Sequence, residues 1–304
     1  IKGNISIDAF ISFMMYFGIL RASFSPLSTF FIRIRNSNVY LDRINEVLSL
    51  EEEDKIASTP LLGIKDILFR DLSLDIDNKK VLDKISFSIG PNEKIAIMGE
   101  SGCGKSSLVK ILLGLNEISS GEILINNINI KEYNIDEIRN KIAYVSQDSY
   151  LFNRSIYENI ALWDSKKDIQ RALDISMCNE FINIERDLAS AIDGHSNNFS
   201  GGEKQRLSIA RQLMKDADVY IFDEATSALD KSTEMEVFNN LMRELRDKIV
   251  IFILYKPELI KKFTKIVFIS NGKVISIGTH YELMNDYEEY RILYNSYIEM
   301  SKNR

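Results

Sequence analysis

Nine consecutive residues, Gly99-Glu100-Ser101-Gly102-Cys103-Gly104-Lys105-Ser106-Ser107, combine small residues, hydroxyls and one cation at a spacing suited to holding phosphate. Glycines let successive backbone N–H groups curve round an anion, and a helix starting at Lys105 points its positive end at the same anion. Lys105 then supplies a cation for β- and γ-phosphates, and the Ser106 hydroxyl a ligand for Mg²⁺. Cys103 reads as a small spacer, although a place near a helix start is one that lowers a thiol's pKa and makes it alkylatable. The bland alternative is a Gly/Ser turn with no ligand. Against it stands Val219-Tyr220-Ile221-Phe222-Asp223-Glu224, an apolar run ending in two acids. Such a strand delivers its carboxylates to the carboxyl edge of a sheet, where nucleotides sit on open α/β folds. Asp223 is the expected Mg²⁺ ligand, and Glu224 the general base that orients and deprotonates an attacking water.

Short apolar runs alternating with helical stretches supply the frame, as in an α/β domain with a partly parallel sheet. The pattern predicts strands over Val81–Ile89, Lys94–Met98, Ile142–Ser146, Val219–Phe222 and Ile249–Leu254, and helices over Lys105–Leu113 and Lys231–Arg246. The order of the strands is not readable. Upstream the character changes. Ala9–Leu20 and Ala22–Ile32 carry no charge and are separated by Arg21; together they match the roughly 20 apolar residues a helix needs to cross a bilayer. A buried helix of a soluble protein has the same composition. Arg33, Arg35 and Arg43 follow, as where a helix leaves the membrane on its cytoplasmic side. The acidic run Glu51–Asp54 and the Ser58-Thr59-Pro60 turn read as a linker.

Bulk properties limit these readings. With 304 residues and 45% apolar content the chain can bury an ordinary core. Its net charge of -6 argues against a nucleic-acid backbone as partner, which calls for a basic face. Cys103 and Cys178, like His195 and His280, lack metal-ligand spacing, so a structural metal is not expected.

Phe199-Ser200-Gly201-Gly202-Glu203-Lys204-Gln205-Arg206 resembles the signature motif of ABC ATPases, Leu-Ser-Gly-Gly-Gln, with Phe199 for Leu and Glu203 for Gln. Alone it would pass for an ordinary helix cap. The resemblance continues at Gln147 (the Q-loop), Ser227-Ala228-Leu229-Asp230 (the D-loop) and the closing segments Asn271-Gly272-Lys273 and Gly278-Thr279-His280. It implies an ABC-type ATPase domain with a mixed sheet and a helical subdomain, with ATP and Mg²⁺ bound. Gln147 then joins Ser106 and Asp223 at the metal. A second such domain meets this one head to tail, so that Ser200, Gly201 and Gly202 cap the ATP held by the partner's loop. Asp148–Phe152, Ile156 and Glu158-Asn159-Ile160 resemble the exporter branch, and Pro26-Leu27 with Asp42-Arg43-Ile44 resemble the exit of its last membrane helix.

The chain therefore reads as residues 1–50, a transmembrane-helix remnant with its cytoplasmic extension; 51–64, a linker; and 65–304, the ATP-binding domain. The place implied is a cell membrane, with the ATPase on the cytoplasmic side, partnered by a membrane domain and lipid bilayer. Exporters of peptides, bacteriocins, lipids and drugs share the arrangement. Three departures stand out. Ile76 occupies the position where the family stacks an aromatic on adenine. Tyr255, followed by Lys256, replaces the switch histidine that contacts the γ-phosphate, with Lys256 as the substitute should the loop register shift. Ile192-Asp193-Gly194-His195-Ser196 replaces the usual Gly-Glu-Arg-Gly. The alternatives are a weakly hydrolysing or non-hydrolysing half of an asymmetric transporter, and a soluble ABC ATPase unconnected with transport.

Overall fold

A computed structural model describes residues 6–50, 59–162, 168–182, 187–192 and 198–302. The chain divides into two compact units, Ile1–Asp54 and Lys55–Arg304. Among the described residues the first holds one helix, α1 (Ile7–Leu48), capped by the Ser6 hydroxyl, which accepts from the Ala9 N–H. Arg21 and Pro26 both lie inside it, so neither the charge nor the proline divides the two uncharged stretches. At about 1.5 Å rise per residue, 42 residues extend roughly 63 Å, about twice the hydrocarbon thickness of a bilayer. Its Phe, Met, Ile and Leu side chains are exposed, and length and apolar character together suffice for crossing a membrane.

The second unit contains two sheets. Strands β1 (Ile67–Ile76), β2 (Lys79–Ile89), β4 (Ser120–Ile125) and β5 (Ile128–Asn129) form an antiparallel sheet in the order β2-β1-β4-β5. The six-stranded sheet runs β10-β9-β3-β8-β7-β6 and uses β3 (Lys94–Gly99), β6 (Ile142–Val145), β7 (Val219–Asp223), β8 (Ile249–Ile253), β9 (Lys265–Ser270) and β10 (Lys273–Gly278). Its pairings are parallel except β9 with β10, which makes the sheet mixed. The helices are α2 (Lys105–Leu112), α3 (Ile135–Lys141), α4 (Ile156–Ala161), α5 (Gln170–Ser176), α6 (Gly201–Leu213), α7 (Lys231–Glu244), α8 (Pro257–Ile260), α9 (His280–Asp286) and α10 (Glu288–Lys302). Every strand and helix expected from hydropathy is present, with ends within two residues.

The central strands are apolar on both faces, because alternate side chains enter different cores. Ile95 and Ile97 of β3, with Ile249, Ile251 and Ile253 of β8, join the core that includes α2 and the antiparallel sheet. Ala96, Met98, Val250 and Phe252 join the core shared with Phe238 of α7, Phe263 and the tyrosines of α10. A third, smaller core unites α4, α5 and α6 through Ile156, Ile160, Leu173, Phe199 and Leu207, which is the helical subdomain.

Within the expected linker, Thr59 bridges Tyr133, the Leu61 N–H donates to Glu137 and the Ile64 N–H donates to Asp218, so residues 59–64 are tied to the second unit. Residues 51–58 and the stretch 193–197, with His195, lie outside the described residues.

Phe238 is buried, tilted against Phe252 at 5.3 Å and edge-on to Phe263 at 5.7 Å. Phe238→Ala is expected to lower the unfolding free energy by about 3–5 kcal/mol, read from denaturant titration followed by circular dichroism.

Candidate active site

The parallel register brings the chemistry together. Ile97 of β3 pairs with Ile253 of β8, and Ile253 pairs with Asp223 of β7. The residues just beyond, Gly99, Tyr255 and Glu224, therefore leave the sheet at one carboxyl edge. Val145 of β6 pairs with Phe222, which places the exposed Gln147, two residues on, at the same edge.

Between β3 and α2 the chain makes the tight turn expected of a phosphate cradle. Gly102 and Gly104 have positive φ, and a Cβ on Gly104 would lie 2.5 Å from Leu82 Cδ2. Gly99 is equally constrained, since its Cβ would lie 2.2 Å from the Ile269 carbonyl oxygen and 2.6 Å from Cys103 Sγ. Ser101 and Gly102 are exposed, Cys103 and Gly104 buried, and Ser106 and Ser107 half-buried in the first turn of α2. Lys105 folds back over its own loop: its Nζ donates to the carbonyls of Gly99 at 2.9 Å and Glu100 at 2.6 Å. The ammonium also lies over the Tyr255 ring, 4.7 Å from its centroid. Burial pushes the lysine pKa down, opposed by Cys103, Glu224 and Asp223 nearby.

Asp223 is buried at the end of β7. One carboxylate oxygen accepts from the Tyr144 hydroxyl at 3.2 Å, while Oδ1 has no hydrogen-bond partner among the described residues. A buried acceptor left unsatisfied beside a phosphate cradle suits a divalent cation, so the donor set Asp223, Ser106 and Gln147 fits Mg²⁺. Glu224 adopts left-handed backbone (φ 52°), with its N–H donating to the Ile253 carbonyl at 2.9 Å. Burial raises its carboxyl above the ordinary range, the Asp223 charge adds to this, and the nearby Tyr255 hydroxyl works in the opposite direction. Tyr255 is in turn raised far above the ordinary phenol range, first by burial and then by the neighbouring Glu224 carboxylate, so its hydroxyl stays protonated.

Two lesser possibilities raised by the sequence are not supported. The Cys103 thiol is buried and its pKa is raised, because desolvation outweighs both Lys105 and its place near a helix start. Lys256 does not take over from Tyr255. Its Nζ pairs with the buried Glu234 of α7 at 2.8 Å and donates to the Thr226 and Leu229 carbonyls.

At the start of α6, Ser200 forms a capping box with Glu203: the serine hydroxyl accepts from the Glu203 N–H, and the Glu203 carboxylate accepts from the Ser200 N–H. Gly201 and Gly202 allow the helix to lie against the turn after β7; a Cβ on Gly202 would sit 3.1 Å from the Ala228 carbonyl and 3.2 Å from Leu229 Cδ2. Ile76 is partly exposed at the end of β1, where Asp77 and Asn78 (φ 49° and 60°) turn the chain into β2.

Residues 82–227 match the family described as ABC transporter, a stretch from β2 through the Asp223-Glu224 turn. In this stretch the chain belongs to the ABC transporter family. It is 33% identical over 307 residues to the lactococcin-G-processing and transport ATP-binding protein LagD of Lactococcus lactis subsp. lactis, covering 97% of this chain and 43% of LagD. It is 35% identical over 250 residues to the ATP-dependent lipid A-core flippase of Desulfotalea psychrophila, covering 81% of this chain and 44% of the flippase. The structure of a bacterial Atm1-family ABC exporter with ATP bound superposes with a TM-score of 0.79 at 25% identity, covering 86% of this chain and 47% of that one. The chain thus spans less than half the length of these relatives.

Within this ABC domain, reading the sequence leaves two connections unfound. Gln205 is buried in α6; its amide donates to Ser227 Oγ at 3.0 Å and its carbonyl oxygen accepts from the Ala228 N–H at 2.9 Å. That side chain fastens the signature helix to the D-loop, and its position inside a polar run was the available signal. The second is the Glu234–Lys256 pair, where Glu234 also accepts from the Thr226 hydroxyl at 2.5 Å. Burial raises the Glu234 pKa, with Lys256 and Thr226 opposing. Lys256→Met leaves that carboxylate without its cation and is expected to cost about 3–5 kcal/mol at neutral pH. A folded pKa raised above the unfolded one means that stability falls as pH climbs from the ordinary glutamate range through the raised value. The variant's deficit should therefore shrink on acidification across that window, as denaturation at a series of pH values will report.

Proposed function

We propose that this chain binds and hydrolyses Mg-ATP, and that in the whole protein the hydrolysis drives export of a cargo across a membrane. The carrying observation is the convergence of the loop after β3, the Asp223-Glu224 turn and Tyr255 at one sheet edge, with the Lys105 ammonium among them. In this reading Gly99, Ser101, Gly102, Cys103, Gly104, Ser106 and Ser107 line the phosphates, and Ile76 lies along the adenine. Lys105 exchanges its two loop carbonyls for β- and γ-phosphate oxygens. Asp223 Oδ1, the Ser106 hydroxyl and Gln147 would hold Mg²⁺, whose charge offsets that of the phosphates. Glu224 accepts a proton from the attacking water, and its raised pKa brings it nearer the range useful to a general base. Tyr255 holds that carboxylate in place through its hydroxyl.

The relatives named as transport proteins and the length of α1 support the wider assignment: residues 1–50 as the end of a membrane domain in the bilayer, 51–64 as linker and 65–304 as the ATP-binding domain on the cytoplasmic side. Ser200 and Gly201, exposed at the start of α6, and the half-buried Gly202 are assigned to cap ATP held by a second ABC domain in a head-to-tail dimer.

Lys105→Ala should abolish measurable Mg-ATP binding by calorimetry, and Glu224→Gln should bind ATP while releasing no phosphate. Wild-type protein that binds Mg-ATP but releases no phosphate would instead identify the non-hydrolysing half of an asymmetric transporter. Tyr255→Phe removes the nearby hydroxyl that lowers the Glu224 pKa, so the carboxylate forms only at higher pH. The acidic limb of the kcat-versus-pH profile is expected to move upward in that variant.

A further inference from the structure

Two side chains donate to the carbonyl of Gly99. One is Lys105 Nζ at 2.9 Å; the other is the hydroxyl of Tyr297, also at 2.9 Å, which lies 198 positions away on α10. Tyr297 is buried, and its ring meets that of Tyr255 edge-on, with centroids 5.3 Å apart and planes at 86°. Tyr255 in turn carries the Lys105 ammonium over its face and lies near enough to Glu224 for the two to perturb each other's pKa. One residue of the carboxyl-terminal helix therefore touches both the start of the phosphate loop and the aromatic that orients the proposed base.

We propose that Tyr297 is a positioning residue for ATP hydrolysis, acting through Gly99 and Tyr255. The inference rests on the reading of this edge as the ATP site. When Lys105 turns to phosphates it gives up the Gly99 carbonyl, and Tyr297 is the side-chain donor that remains. A carbonyl with two lone pairs loses one partner and keeps the other, so the strand end stays fixed while the lysine moves. On its Cβ side Gly99 has no room to shift, because the Ile269 carbonyl and Cys103 Sγ stand there. The Tyr297 ring, by walling off one side of Tyr255, also keeps the Tyr255 hydroxyl directed at Glu224. Burial raises the Tyr297 pKa well above the phenol range, so its hydroxyl remains a donor at physiological pH.

The two contacts make separable predictions for the full chain in steady-state phosphate release. Tyr297→Phe removes the hydroxyl and keeps the ring: the ATP KM should rise about fivefold, the scale of one lost hydrogen bond, with kcat within about twofold of wild type. Tyr297→Leu removes the ring as well, and kcat should then fall about fivefold or more. A merely structural role would lower the melting temperature of both variants and leave KM and kcat per folded molecule unchanged. Wild-type KM in Tyr297→Phe, or equal kcat in the two variants, overturns the inference; should Tyr297→Leu not fold, the KM of Tyr297→Phe decides alone. If wild type itself shows no Mg-ATP binding that Lys105→Ala abolishes, the assignment of the site has failed too. Binding and turnover that respond to Lys105→Ala but not to Tyr297→Phe overturn only the role of Tyr297.

Discussion

The parallel pairing of β3 with β8 and of β8 with β7 is the constraint on which the rest depends. Backbone hydrogen bonds fix Ile97, Ile253 and Asp223 at one level, so residues from three distant parts of the chain reach the same edge. The strands are apolar on both faces, so a slip of one residue would exchange the two cores: Ile97 and Ile253 would trade places with Met98 and Phe252. Core packing thereby holds the catalytic register. The side chains at the edge have only to fill positions that the sheet has already set.

Around that edge, charged and polar groups are held by partners from other elements. Lys105 is solvated by its own loop, Asp223 is half-satisfied by Tyr144, and Lys256 is neutralised by Glu234. Gln205 joins α6 to the turn that carries Ser227 and Ala228, so a displacement of the signature helix is felt directly behind Glu224, whose own carbonyl lies 3.4 Å from the same amide. These are short, buried, multiply bonded contacts of the kind that move as units, which suits a domain whose proposed work is to convert ligand chemistry into motion.

The frame was legible from the amino acids because it rests on local periodicity: β3, β7 and β8 are continuous apolar runs, and the loop before α2 has turn chemistry that few alternatives share. The order β10-β9-β3-β8-β7-β6 was not, since it depends on which buried strands pair, and all of them look alike. Within the site, Lys105, Asp223 and Glu224 were identifiable by type and place. Cys103 reads in sequence as a small spacer, and the lowered thiol pKa that its place near a helix start suggested is reversed by burial, which no local pattern reports. Lys256 looked available because Glu234, which neutralises it, lies in a different helix. Tyr297 carried no local signal, being one of several tyrosines on an amphipathic helix.

Glu224 is a non-glycine residue held at φ 52°, a conformation that costs roughly 1–3 kcal/mol for a side chain of this kind. Glycine or asparagine would sit there more comfortably, and the turn itself would lose nothing by the exchange. A sequence selected only for a durable fold would drift toward those residues. On the proposed reading, the carboxylate that would take the proton from water therefore sits on backbone that costs stability to hold.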